Sequence, residues 1–118
     1  MADERAAVDR SGGLALILTT APDAGAAERI VRTLVEERLI ACGNLLPDVL
    51  SLYRCEGRIA RESEVLVLLK SSAGTIDALF DRLPQLHPYE VPELVEIPIA
   101  TVSAGYRRWV IESTEVSA

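Results

Sequence analysis

Two short apolar runs constrain this chain more than anything else in it. "LALILTT" occupies residues 14–20 and "VLVLL" residues 65–69. Side chains along a strand point alternately to opposite faces, so a run without alternation is apolar on both. Such strands belong at the centre of a sheet, not at its rim. Between them, "PDAGAAERIVRTLVEERLI" repeats Ala27, Ile30, Val31, Leu34 and Val35 at helical spacing, with charged residues in the gaps. The spacing predicts an amphipathic helix that starts near Thr20–Asp23 and stops before Gly43.

Residues 44–70, "NLLPDVLSLYRCEGRIARESEVLVLLK", read as a long β-hairpin turning at Glu56-Gly57-Arg58. Pro47 cannot donate to a ladder, which makes the first arm an edge or bulged strand. In "SSAGTIDALFDRLP", Ile76, Leu79, Phe80 and Leu83 fall on one helical stripe, with Ser72 as N-cap and Pro84 as the stop or kink. "ELVEIPIA" (93–100) alternates and carries Pro98, a second edge strand, and "SAGYRRWVIES" (103–113) predicts a short last helix with Tyr106, Trp109 and Val110 on one side. The order β-α-β-β-α-β plus a C-terminal helix describes an α+β, ferredoxin-like sandwich. Strands one and three are expected at its centre, strands two and four at its edges. The domain is expected over residues 13–112, with a disordered extension at 1–12 and a tail at 113–118.

In that fold both helices pack on one side of the sheet. Whichever side is open, several large aliphatics of the two apolar runs would meet water. Each is worth about 1.5–3 kcal/mol on burial, so four reach roughly 6–12 kcal/mol, of the order of a whole domain's stability. A bare patch of that size is not expected on a monomer. The last helix covers part of it; a second copy of the chain, sheet against sheet, covers it more fully. A homo-oligomer follows.

Composition narrows the function. The chain has 118 residues, 49% of them hydrophobic, and a net charge of −6. There is no basic stripe, which argues against nucleic acid. No segment approaches 18 consecutive apolar residues, so no membrane span is expected. The first dozen residues lack the apolar core of a signal peptide. Cys42 and Cys55 have neither disulfide-framework nor metal-knuckle spacing, and a reduced, cytoplasmic setting is the simplest expectation. Neither G-x-S-x-G nor a P-loop is present, and catalysis is not expected.

"LVEERLIACGNLLP", "SLYRCEGRI", "SEVLVLLK", "LHPYEVPELVEIPI" and "YRRWV" occur in this order, within a likeness that covers about residues 14–111. Together they resemble the CutA family, small proteins associated with divalent-cation tolerance. The resemblance implies a homotrimer of ferredoxin-like subunits, similar in architecture to the PII signalling proteins. It also implies clefts between subunits and an association with Cu²⁺ or another divalent cation, with no organic cofactor. Tyr53, Glu64, Lys70, Tyr89 and Trp109 match motif positions and are expected to line the cleft. Their structural alternatives are an intersubunit salt bridge for Glu64 and Lys70 and simple packing for Tyr89 and Trp109. This chain departs from the family in carrying Cys55 where a tryptophan is usual. It also carries Pro84 where the second helix often runs on, which implies a shorter helix.

Three residues are candidate metal ligands. His87 is the only histidine, held in the stiff stretch "LHPYEVP" (86–92). Its neutral imidazole suits a borderline metal, and Glu90 stands three residues on. Equally, His87 can bond a neighbour and cap the helix end. Cys42 suits copper as a thiolate, or packs as a small buried hydrophobe. No pair has the spacing of a ready-made site, so any site must be assembled by folding or between subunits.

Overall fold

The computed structural model describes residues 8–115. Residues 1–7 and 116–118, which hold most of the expected extension and part of the tail, lie outside the described residues. The elements are β1 (Leu14–Ala21), α1 (Ala24–Glu36), β2 (Cys42–Cys55), β3 (Arg58–Ser72), α2 (Ile76–Leu86), β4 (Val95–Pro98) and α3 (Ala104–Ser113). The four strands form one antiparallel sheet in the order β2-β3-β1-β4. The two-sided apolar runs occupy the centre and the proline-bearing strands the edges, as their sequences require.

The helices settle which face is covered. Ala15, Ile17, Ala21, Val65, Val67 and Leu69 pack under Ile30 and Leu34 of α1 and Leu79 and Leu83 of α2. Asp23 caps α1, its carboxylate accepting from the Ala26 amide at 2.8 Å, an arrangement worth about 1 kcal/mol. Gly43 lets α1 lie close on β2: a Cβ there would stand 2.7 Å from Val31 Cγ1. On the opposite face, α3 crosses only one end, where Val110 packs with Leu14 and Ala41. Leu16, Leu18, Leu66 and Leu68 remain half-buried, and Leu46, Val95 and Ile97 are exposed. This is the open apolar face that the two runs foretell.

Two expectations about α2 are corrected. Pro84 does not end the helix, which runs on to Leu86. Proline's missing N–H and its ring act on the turn before it, where one ladder bond is forgone, while its fixed φ fits a helix and lets two further residues follow. Ser72 makes no side-chain cap bond. A 3₁₀ turn over Ala73–Thr75 intervenes, and the Ser72 hydroxyl instead accepts from Thr114 at 2.8 Å. Thr114 itself is buried, and Arg10 pairs with Glu96 at 2.6 Å, so both flanks of the expected domain touch its body.

The hairpin turns on Glu56 and Gly57, both at positive φ (49° and 78°), with Cys55 opposite Arg58. Two such residues match the right-handed twist of the arms. Further down, the β2–β3 register shifts between Leu46 and Val49, where Asp48 has φ 59°. Pro47 therefore sits in a β-bulge on an edge strand, the place a ladder tolerates it.

Candidate functional site

Five residues expected to share one cleft fall into separate places in a single chain. Glu64 and Lys70 are on the same face of β3 but six residues apart, about 20 Å along the strand.

The first place is a cavity of about 700 Å³ bordered by Thr20, Ser51, Tyr53, Glu62, Glu64, Tyr89 and Glu93, with Leu50, Leu52 and Val91 as apolar walls. Glu62 and Glu64 alternate along β3 and so face the same side, opposite Ser51 and Val49 of β2. Glu64 is 7% exposed, and Tyr89 Oη donates to its Oε2 at 2.7 Å. Burial first, and that bond second, push the Tyr89 phenol well above the ordinary tyrosine range. Tyr53 pairs in the same way with Glu62, which raises its phenol too. The cavity thus carries carboxylates and phenols, with no basic side chain among the residues that border it. Oxygen donors of this kind suit a hard or borderline cation.

His87 stands behind this wall, 8% exposed. Its Nε2 lies 2.7 Å from the Thr20 carbonyl, and its Nδ1 accepts from the Tyr89 amide at 3.1 Å. Its neighbour Glu90 is exposed. The reading in which His87 bonds a neighbour describes what is seen, although its partners are a strand carbonyl and a loop amide.

The second place lies under α3. Cys42 pairs with Lys70 across β2 and β3. Lys70 Nζ lies 3.8 Å from Cys42 Sγ, Tyr106 Oη lies 3.7 Å from it, and Lys70 also bonds the Asn44 side chain. Burial, then contact with Cys42, raises the Tyr106 phenol. Trp109 stacks at a tilt on Tyr106 with centroids 5.6 Å apart and is 45% exposed. It borders a different hollow with Val35, Ile40 and Ala41. Cys55 is exposed near the hairpin tip, two residues beyond Tyr53 of the first group and at the opposite end of β2 from Cys42.

Cys42, His87 and Glu90 are not brought together. Among the described residues, no three His, Cys, Asp or Glu side chains converge as a metal-binding group within one chain. Glu62, Glu93, Asn44 and Tyr106 are members of these places that sequence reasoning missed. Glu62 was within reach, since it lies two residues before Glu64 on a strand. Tyr106 was read only as a packing residue, because nothing in a sequence aims a helix at Cys42.

Comparison with known families matches residues 15–113 to the CutA1 divalent ion tolerance proteins. The divalent-cation tolerance protein CutA of Thermus thermophilus is 40% identical over 99 residues, 84% of this chain and 96% of that protein. Human Protein CutA is 38% identical over 104 residues, 88% of this chain but only 58% of the human protein's length. Among solved structures, CutA from Xylella fastidiosa superposes with a TM-score of 0.85 at 37% identity, covering 87% of this chain and 99% of that one. The periplasmic divalent cation tolerance protein CutA from Archaeoglobus fulgidus does so at 0.83 and 30% identity, covering 86% and 99%. With the family matched across nearly all of the folded chain, and the same architecture in relatives well above the identity at which fold alone is shared, this protein belongs to the CutA1 divalent ion tolerance family.

Proposed function

We propose that this chain works as a homotrimer in divalent-cation tolerance, holding Cu²⁺ or another divalent cation, or a small ligand, in clefts between subunits. The observation that carries the reading is the open apolar face with one polar group at each end. A copy laid against that face buries the leucines and can bring the carboxylate end of one subunit toward the thiol end of the next. Glu62, Glu64 and Glu93 offer hard oxygen donors, and Cys42 offers a soft one. Since the described residues of one chain gather no complete ligand set, a shared site is the economical arrangement. His87 could serve a metal only by giving up two hydrogen bonds, so the metal role passes mainly to Cys42 and the carboxylates, with Glu90 free at the surface. The element order and sheet order support a ferredoxin-like subunit in a PII-like trimer. A PII-like sensor is the second reading, favoured by Lys70 and weakened by the tight Glu56-Gly57 turn in place of a long mobile loop. We place the protein in the cytoplasm and assign it no catalysis; no helix among the described residues is long and apolar enough to cross a membrane.

Sedimentation velocity of the untagged chain, followed by Cu²⁺ titration, tests this. A three-chain particle whose copper uptake falls in Cys42→Ala or Glu64→Gln is expected. A single-chain particle at micromolar concentration would overturn the shared cleft.

A further inference from the structure

The acidic cavity offers a ligand hydrogen-bond acceptors and few donors. Glu62, Glu64 and Glu93 bring three carboxylates to a space of about 700 Å³, and no Lys, Arg or His is among the residues that border it. Tyr89 gives its hydroxyl hydrogen to Glu64 at 2.7 Å, and Tyr53 gives its own to Glu62. What the phenols leave for a ligand is oxygen lone pairs and ring faces. Glu64 is 7% exposed, yet Tyr89 serves only its Oε2; Oε1 accepts no hydrogen bond among the described residues. A carboxylate oxygen buried without a donor carries a desolvation cost that a donor arriving through the cavity would remove. The spread of the charges narrows the kind of cation. A bare metal ion gathers its ligands round one point, and among the described residues no three His, Cys, Asp or Glu side chains converge in that way. Glu62 and Glu64 are two residues apart on one face of β3, about 6–7 Å along the strand. Leu50, Leu52 and Val91 border the same space and stay exposed, an apolar surface that a hydrated ion does not cover. An alkyl stem of lysine length lies on such a surface with its charged head in polar surroundings.

We propose that this cavity binds a free aliphatic diamine or polyamine, its ammonium groups donating to Glu64, Glu62 and Glu93 and its methylenes lying against Leu50, Leu52 and Val91. The inference rests on the reading under Proposed function that this cavity takes a small ligand, and it needs neither a metal nor the thiol end. Three carboxylates with no base on the cavity wall draw such a cation from solution. Each primary ammonium carries three donors, which suits a lining of acceptors. Two ammonium groups held apart by a chain can meet carboxylates that do not converge, which a point charge cannot. A lysine side chain has the same chemistry at one end. Lys70 is the only lysine of the chain, so a second copy could supply it in place of a free amine, and the Lys70→Met variant separates the two sources.

Calorimetric titration of the untagged full-length chain with butane-1,4-diamine, in chelated buffer near neutral pH, tests this. The diamine is expected to bind about tenfold or more tightly than butylamine, the effect of one further charge-assisted hydrogen bond. Glu64→Gln should weaken the diamine about tenfold or more, and Glu62→Gln roughly three- to tenfold. Asp81→Asn, which removes an exposed carboxylate of α2, should leave the affinity unchanged. If Glu64→Gln fails to fold, Glu62→Gln, at an exposed position, decides. Butylamine binding as tightly as the diamine, an equal loss in Asp81→Asn, or no binding of either amine would overturn the inference. So would diamine uptake seen only in Lys70→Met, because the lysine of a second copy would then hold the place. A parallel Cu²⁺ titration without chelator keeps the two readings apart. Copper uptake without diamine uptake sinks the diamine and leaves the metal reading standing; diamine uptake without copper uptake upholds the diamine and removes the metal.

Discussion

The two ends of the open face are built on different terms. At the cavity end, Glu64 is buried and Tyr89 meets it at 2.7 Å, with His87 fixing Tyr89 in turn. At the thiol end, Cys42 has only sulfur contacts of 3.7 to 3.9 Å and stays partly exposed. A buried carboxylate without a donor carries the full desolvation cost, so the first end is tightly specified. Sulfur contacts of that length are weak, and water can replace them at little cost, so the second end can adjust to whatever meets it. Geometry at the cavity end is enforced by folding; at the thiol end it is left for a ligand or a partner to complete.

The largest effect should come from breaking the surface between the ends. Leu68 lies midway, opposite Leu18 and Asn44. If the chain assembles as proposed, Leu68→Asp should dissociate that assembly in sedimentation velocity, because it removes an apolar contact worth about 1.5–3 kcal/mol and adds a charge that resists burial. If both ends share a cleft, ligand uptake at both should fall together; loss at one alone would show that they act separately.

Next in size is Tyr89→Phe, which strands the Glu64 carboxylate. Urea unfolding should show a loss of about 1–3 kcal/mol, and Glu64→Leu in the same background should recover part of it. An unchanged midpoint would mean that Glu64 finds water readily and that the cavity end is as loose as the other.

The phenols give a pH comparison. Folding favours the protonated form of Tyr89, whose value is raised by burial and by Glu64. Its stabilisation is therefore complete below the ordinary tyrosine value of about 10, and it is lost as pH rises through the higher folded value. Tyr106 is raised in the same direction by burial and Cys42, and Tyr53 by Glu62 and then burial. Ultraviolet titration should show the last phenol step missing in Tyr89→Phe. If Tyr106 titrates last instead, the ranking of the two ends is reversed.

The smallest effect is expected at the thiol end. Lys70→Met should change stability by less than about 1 kcal/mol, the range of exposed polar contacts, while altering the rate at which Cys42 reacts with a thiol reagent. A stability loss as large as that of Tyr89→Phe would show this end to be equally built in.

Much of this was legible in the residues. "LALIL" and "VLVLL" name the central strands because only a covered strand can be apolar on both faces, and Pro47 and Pro98 name the edges by the donors they lack. Pro84 misled because a proline's missing N–H and ring act on the turn before it, and its fixed φ lets a helix already packed on the sheet run on past it. Arg38, at φ 60° just beyond α1, gave no signal, since a left-handed residue is usually announced by glycine. Where the motif residues stand relative to one another was not legible. The motifs gathered Tyr53, Glu64, Lys70, Tyr89 and Trp109, but six residues of extended strand separate Glu64 from Lys70. The bond of His87 to Thr20 joins residues 67 positions apart, which no local pattern encodes.

The extra residue at Pro47–Asp48 reaches further than its local kink. Up to Leu46 the even-numbered side chains of β2 accompany Lys70, Leu68 and Leu66; from Val49 onward the odd-numbered ones accompany Glu64 and Glu62. The bulge works as a frameshift in space. Without it Tyr53 would turn its back on the carboxylates and Leu52 would take its seat, so the chemistry of the cavity hangs on a single miscounted residue in an outer strand.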